Sequence, residues 1–74
     1  MKVHDYEVSS GAEQACVDRM MRGDSFVLSD IVLIARECGV PDGDISYRLA
    51  DRMIQFQRKA GKIRRFDGRW RAVL

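Results

Sequence analysis

The chain has 74 residues, of which 46% are hydrophobic and 32% are charged, and its formal net charge is +2. A chain of this size forms one small domain that buries only about 60% of its unfolded surface, which leaves little room for a deep catalytic cleft. No apolar run approaches the roughly 20 residues that span a bilayer, and no signal peptide is visible at the polar start of the chain. We therefore expect a cytoplasmic protein.

The charge is unevenly distributed along the chain. Residues 1–47 carry four basic and nine acidic side chains, a net charge of −5, whereas residues 48–74 carry nine basic and two acidic ones, a net charge of +7. Such a split indicates a side that faces a polyanion, although the two halves could also neutralise each other across the fold.

Few residues are available for metal binding or catalysis. Cys16 and Cys38 stand far apart without further ligands at zinc spacing, and His4 is the single histidine. Because both cysteines fall on apolar faces of expected helices, we expect two reduced, buried thiols rather than a disulfide. No glycine-rich phosphate loop precedes a helix, so we expect no enzymatic activity, no cofactor and no small-molecule substrate.

The first nine residues show no hydrophobic period and are expected to form a flexible arm before a single domain at residues 10–74. The first helix is expected to begin at Ser10, since Ser10 and Glu13 fit a capping box, and to end at Gly23. The inner face of this helix would carry Ala12, Cys16 and Met20.

A short extended segment at residues 25–28 leads into a second helix, which Ser29 is expected to cap and Gly39 to end. The apolar side chains of this helix recur at helical spacing and are Ile31, Ile34, Ala35 and Cys38.

The third helix is expected at about residues 45–60 and is the longest. One side of it carries the apolar residues Ile45, Leu49, Met53, Phe56 and Ala60. The opposite side carries Tyr47, Asp51, Ile54 and Arg58, flanked by Arg48 and Gln55.

Residues 62–73 are expected to form a two-stranded hairpin, because Asp67-Gly68 suits a type I′ turn in which both central residues have positive φ. The turn pairs Phe66 with Arg69 and places alternate side chains on opposite faces. The inner face would carry Ile63, Arg65, Trp70 and Ala72, with Arg65 stacked on the indole. The outer face would carry Lys62, Arg64, Phe66, Arg69, Arg71 and Val73.

The outer face is mostly basic, and Arg64 stands directly opposite Arg71, where like charges repel. Cations spaced along one face match a row of phosphates, because Arg presents a planar fork to phosphate oxygens. The other interpretation is surface charge that keeps the protein soluble. Phe66, beside the turn, either packs on its strand partner or inserts at a base step.

The order of elements over residues 10–74, which is helix, short strand, helix, tight turn, helix and hairpin, resembles the winged helix-turn-helix family. The likeness is carried by Phe26-Val27-Leu28-Ser29-Asp30, by the turn Gly39-Val40-Pro41, by Asp44-Ile45-Ser46-Tyr47-Arg48-Leu49 and by Ala60-Gly61-Lys62-Ile63 leading into residues 64–70. The resemblance implies an α+β fold with three helices, a short strand between the first two and a C-terminal hairpin wing. The size of the chain also resembles that of small phage or prophage regulators.

In that family the third helix enters the major groove and the wing reaches phosphates or the neighbouring minor groove. The resemblance implies groove-facing side chains at Ser46, Tyr47, Arg48 and Gln55, with Arg58 nearer the DNA backbone, and wing contacts at Lys62, Arg64, Arg69 and Arg71. Arg48 would then favour guanine and Gln55 adenine, whereas the other interpretation of these side chains is an ordinary exposed helix face.

Asp51 departs from this pattern, because its carboxylate would meet a phosphate-rich surface. It would read a cytosine amino group, hold Arg48 or Arg58 in place, or mark a face that binds protein.

The function expected from the sequence is binding of double-stranded DNA by a transcriptional regulator or architectural factor, with self-association of copies on the DNA and no contact with a membrane. The alternative is a protein–protein interaction module whose hairpin docks on an acidic partner, which Asp51 and an exposed Ile54 would favour. RNA is a third possibility, but the exposed aromatic side chains on which single strands stack are few.

Overall fold

Three helices and two small antiparallel hairpins make up the computed structural model, an α+β arrangement that describes residues 1–73. The elements are β1 (Lys2–Val3), β2 (Tyr6–Glu7), α1 (Ser10–Met21), α2 (Leu28–Glu37), α3 (Asp44–Lys59), β3 (Ile63–Phe66) and β4 (Arg69–Ala72). Within residues 1–73, no helix has the length and apolar character needed to cross a membrane.

The core lies where the three helices and the two hairpins meet. α1 buries Ala12, Cys16 and Met20, which confirms the inner face expected from their spacing. Phe26, the largest fully buried side chain, follows α1, and its backbone pairs with that of Trp70 through N–O distances of 2.9 and 2.8 Å. This pairing is an isolated bridge rather than the expected short strand, and it joins the α1–α2 connection to β4.

The first nine residues differ from the flexible arm expected from the sequence. β1 and β2 form a hairpin whose turn residues, His4 and Asp5, both have positive φ, at 48° and 65°. Val3 and Val8 are only 1% and 2% exposed and belong to the core. The hairpin was missed because two-residue strands are too short to show a hydrophobic period.

Replacing Val3 by Ala is expected to lower the free energy of unfolding by about 2 kcal/mol, because two buried methyl groups leave a cavity in the core. Equilibrium urea unfolding measures the loss. The control is Lys2→Ala in the same strand, since the Lys2 side chain is exposed. Equal stability of the two variants would show that this hairpin is not part of the folded core.

The helix caps differ by one or two residues from those expected. Ser9 caps α1 in place of Ser10, and its Oγ accepts a hydrogen bond from the Ala12 N–H at 3.2 Å. α2 begins at Leu28, before Ser29, and the Asp30 carboxylate accepts a hydrogen bond from the Val27 N–H at 2.9 Å. Adjacent serines, and an acidic residue near the helix start, offer several caps of similar strength.

α3 is rotated about its axis relative to the sequence-based expectation. Ile54, expected to face outward, is 3% exposed, whereas Phe56, expected in the core, is 56% exposed. The side chains that α3 buries are Ser46, Leu49, Ala50, Met53 and Ile54. The C-terminal hairpin packs beside Ile54, so that side of the helix became the covered one.

The two cysteines have different environments, so the expectation of two buried thiols is wrong for one of them. Cys16 is buried, and that burial is the main cause that raises the pKa of its thiol to about 11. Cys38 lies just beyond the end of α2 and is exposed. Cys38 fits the apolar spacing of α2 but lies one residue beyond the end of the helix, which is why it is not buried.

A maleimide is therefore expected to modify Cys38 rapidly and Cys16 slowly in the folded protein, because the thiolate is the reactive species and Cys16 is both buried and protonated. Mass spectrometry after brief labelling at neutral pH should show one added label, and a second label only in denaturant. Rapid labelling of both thiols in the native protein would contradict the packing of α1.

Candidate nucleic-acid interface

The C-terminal hairpin forms in the register expected from its turn. Asp67 and Gly68 have φ values of 48° and 78°, the positive values that a type I′ turn requires. The paired residues are Phe66 and Arg69, Arg65 and Trp70, Arg64 and Arg71, and Ile63 and Ala72. Local turn chemistry was sufficient to predict which side chains share a face.

The inner face of this hairpin packs on the core. Ile63 and Ala72 are buried, and Trp70 is partly buried against the same cluster. The Arg65 Cζ atom lies 5.6 Å from the Trp70 ring centroid, which confirms the expected cation–π contact.

The outer face of the hairpin carries Lys62, Arg64, Phe66, Arg69, Arg71 and Val73, all of them exposed. Arg69 differs from its neighbours because its guanidinium is held: Nε donates a hydrogen bond to Ser25 Oγ at 3.0 Å. Its Nη2 also lies 3.9 Å from a carboxylate oxygen of Asp30. Arg69 therefore ties the hairpin to the start of α2 and is less available to a ligand than Arg64 or Arg71.

Basic side chains in the two halves of the chain differ in their pairing. In the first half, Arg19, Arg22 and Arg36 each lie within 4.0 Å of a carboxylate. Of the nine basic side chains at residues 48–74, only Arg69 has such a partner among residues 1–73. The eight others are Arg48, Arg52, Arg58, Lys59, Lys62, Arg64, Arg65 and Arg71. The positive charge of α3 and the C-terminal hairpin is thus largely uncompensated within the fold.

The outward face of α3 carries most of the side chains expected to read DNA. Tyr47, Arg48 and Arg58 are exposed and Gln55 is partly exposed. Ser46 is a correction, because it is buried and its Oγ donates a hydrogen bond to the Gly43 carbonyl at 3.1 Å. The rotation of α3 that buried Ile54 also turned Ser46 away from the surface.

Gln55 and Arg58 are joined on this face. Arg58 Nε donates a hydrogen bond to Gln55 Oε1 at 2.9 Å. A glutamine that reads adenine uses its carbonyl and its amide nitrogen together. Gln55 Oε1 has a second lone pair, so it can accept a hydrogen bond from an adenine amino group while Arg58 holds it, and the two residues would then act as one unit.

α3 lies between the two hairpins. On one flank, Arg52 Nη1 donates a hydrogen bond to the Lys2 carbonyl at 2.8 Å. On the other flank, a groove of about 240 Å³ separates α3 from the C-terminal hairpin and the start of α2. The groove is lined by Val27, Leu28, Asp51, Ile54, Gln55, Arg65, Gly68 and Trp70.

Arg65 therefore shares a surface with the exposed side of α3, whereas Arg64 and Arg71 lie on the opposite face of the hairpin. The sequence analysis placed Arg65 on the inner face against Trp70 and did not include it among the wing contacts. Alternation did indicate that Arg65 faces inward, but only the packing brings it beside Gln55. A scan against protein-family models, a search of curated proteins and a search of solved structures found no match to this chain.

Proposed function

We propose that this protein binds double-stranded DNA as a regulatory or architectural factor, with the exposed face of α3 in the major groove and the C-terminal hairpin on phosphates or in the minor groove. The observation that carries the proposal is the group of eight basic side chains on α3 and the hairpin that lack a carboxylate partner among residues 1–73. These cations lie on two adjoining parts of the fold, and a surface built only for solubility gains nothing from leaving them without partners there.

Arg64 and Arg71 are the clearest part of this argument. They are directly paired across the strands, where like charges destabilise the hairpin. A phosphate between them replaces this repulsion with two charge-assisted contacts, and each neutralised phosphate releases condensed counterions. Lys62 lies on the same face and extends the row.

Base reading is assigned to the exposed side of α3. Tyr47 and Arg48 project from near the start of α3, and Gln55 projects from the same side of the helix two turns later, so one face of a helix that fits the major groove presents all three. Arg58 acts with Gln55, and Arg65 reaches the DNA backbone from the groove beside α3. The element order, with a hairpin directly after the third helix, supports the winged helix-turn-helix resemblance.

Titration of a labelled random duplex at several salt concentrations tests the proposal. If five to seven phosphates are neutralised, the logarithm of the binding constant should fall with the logarithm of salt concentration with a slope of about −4.5 to −6. A slope near zero would reject the electrostatic mechanism. The measurement needs no knowledge of a target sequence, because phosphate contacts are made with any duplex.

The second candidate is a protein–protein interaction module in which the hairpin docks on an acidic partner. The exposed carboxylate of Asp51 on α3 favours it, whereas the burial of Ile54 removes the apolar feature that had pointed the same way. Absence of duplex binding at low salt would favour this candidate over DNA, because long-range attraction to phosphates is strongest there.

A further inference from the structure

Asp51 is a carboxylate in the middle of the exposed face of α3, two helical turns after Asp44 at the start of the helix, and cationic side chains flank it. It is exposed, and no cation among residues 1–73 lies within 4.0 Å of it. Tyr47 and Gln55 stand one helical turn before and after it. Asp51 also borders two concave surfaces beside the outer side of α3, which are the groove shared with Arg65 and a shallow depression between α3 side chains that Arg48 and Arg52 line.

Within residues 1–73, the Asp51 carboxylate neither caps a helix nor forms an ion pair. It is too far from the first turn of α3 to cap the helix or to gain from the helix dipole. Holding Arg48 or Arg58 in place was one of the three roles considered for Asp51, but Arg58 donates instead to Gln55, and Arg48 does not lie within ion-pair distance of Asp51. A carboxylate on a face that meets phosphates weakens that encounter unless it binds something there.

We propose that Asp51 is a specificity-determining residue that accepts a hydrogen bond from the N4 amino group of a cytosine in the major groove. The inference rests on the proposed function. An ionised carboxylate has only acceptors, so it matches a base edge that offers a donor. Guanine and thymine present acceptors at this edge, and adenine places its N7 acceptor beside its amino group, whereas cytosine presents the donor alone.

The negative charge of Asp51 lowers the affinity for every DNA sequence that lacks a cytosine at this position. Where no cytosine amino group faces it, the carboxylate is desolvated near phosphates without a partner, so binding at that register is weakened. Asp51 therefore lowers the affinity for DNA in general and restores it at one kind of base pair. Specificity then comes from a penalty as well as from a contact.

The test compares the natural protein with Asp51→Asn and Asp51→Ala on random duplexes and on a duplex library with randomised positions. Removal of the charge should tighten binding to random DNA by roughly fivefold. The preference for cytosine at one position, expected to be about tenfold or more, should disappear in Asp51→Ala and move toward adenine in Asp51→Asn, since Asn pairs with adenine.

Glu37→Gln is the matched control, because it removes one negative charge from an exposed residue at the end of α2. Its base preference should equal that of the natural protein, and its gain in affinity for random DNA should be smaller. An unchanged cytosine preference in both Asp51 variants would overturn the inference while leaving duplex binding intact. Failure of the natural protein to bind any duplex would instead overturn the proposed function, and the inference with it.

Discussion

Replacing Arg64 and Arg71 together by Thr is expected to weaken duplex binding roughly 50-fold near 0.1 M salt, because two phosphate contacts and their released counterions are lost. The slope of log affinity against log salt should become shallower by about 1.8. The two side chains are exposed, are paired across the strands and have no carboxylate partner within residues 1–73. Titration of one random duplex at several salt concentrations measures both quantities.

The same substitution should stabilise the fold, which separates a binding defect from misfolding. Thr is favoured in strands, and removal of the facing like charges contributes about 0.5 kcal/mol to stability. For a domain of this size, that gain raises the melting temperature by about 2–4 °C. A variant that melts higher and binds more weakly has lost ligand contacts rather than structure.

A control for net charge is the pair Arg22→Thr and Arg36→Thr. Both guanidiniums already lie beside carboxylates, at 2.7 Å from Asp24 and 3.4 Å from Asp42. This double variant has the same change in net charge, yet it should lose far less affinity because neither cation is free for a phosphate. Equal losses in the two double variants would contradict the assignment of the hairpin as the phosphate-binding surface.

Ile54→Ala is expected to lower the free energy of unfolding by about 2–5 kcal/mol, whereas Phe56→Ala should change it by less than about 1 kcal/mol. Ile54 is 3% exposed and lies on the side of α3 that faces the C-terminal hairpin, whereas Phe56 is 56% exposed. Small domains have total stabilities of about 0.05–0.15 kcal/mol per residue, so the Ile54 loss is a large fraction of the whole.

Equilibrium denaturation of the two variants measures this difference directly. The contrast is informative because a larger side chain is removed at residue 56 than at residue 54, so simple hydrophobicity predicts the opposite order. A greater loss for Phe56→Ala would mean that α3 presents its other face to the core. That result would also return Ser46 to the surface and undo the assignment of the base-reading side.

The C-terminal hairpin was predictable in detail because local chemistry specifies it. The Asp67-Gly68 turn sets the register, and the period of two then determines which side chains share a face. The inner face of α1 was predictable for a related reason, since its three buried residues stand at regular helical spacing. The charge division between residues 1–47 and 48–74 was likewise visible in the order of residues alone.

The orientation of α3 was not predictable from its own residues. The helix carries apolar side chains at more positions than one narrow stripe holds, so two rotations about its axis expose similar numbers of them. Packing of the C-terminal hairpin beside Ile54 favours one rotation, and Ser46 is buried as a consequence. Ser46 is therefore no longer a candidate for DNA contact, and Arg65 lines the groove beside Gln55.

The register of the basic hairpin and the concentration of positive charge in the second half of the chain follow from the order of the residues, because both are properties of residues close together along the chain. Three features appear only in the folded molecule: the side of α3 that stays exposed, the burial of Val3 and Val8 in the core, and the hydrogen bond that ties Arg69 to Ser25 while Arg64 and Arg71 have no such tie within residues 1–73. These features depend on contacts between residues distant along the chain, whose free energies are set by burial and not by local conformational preference.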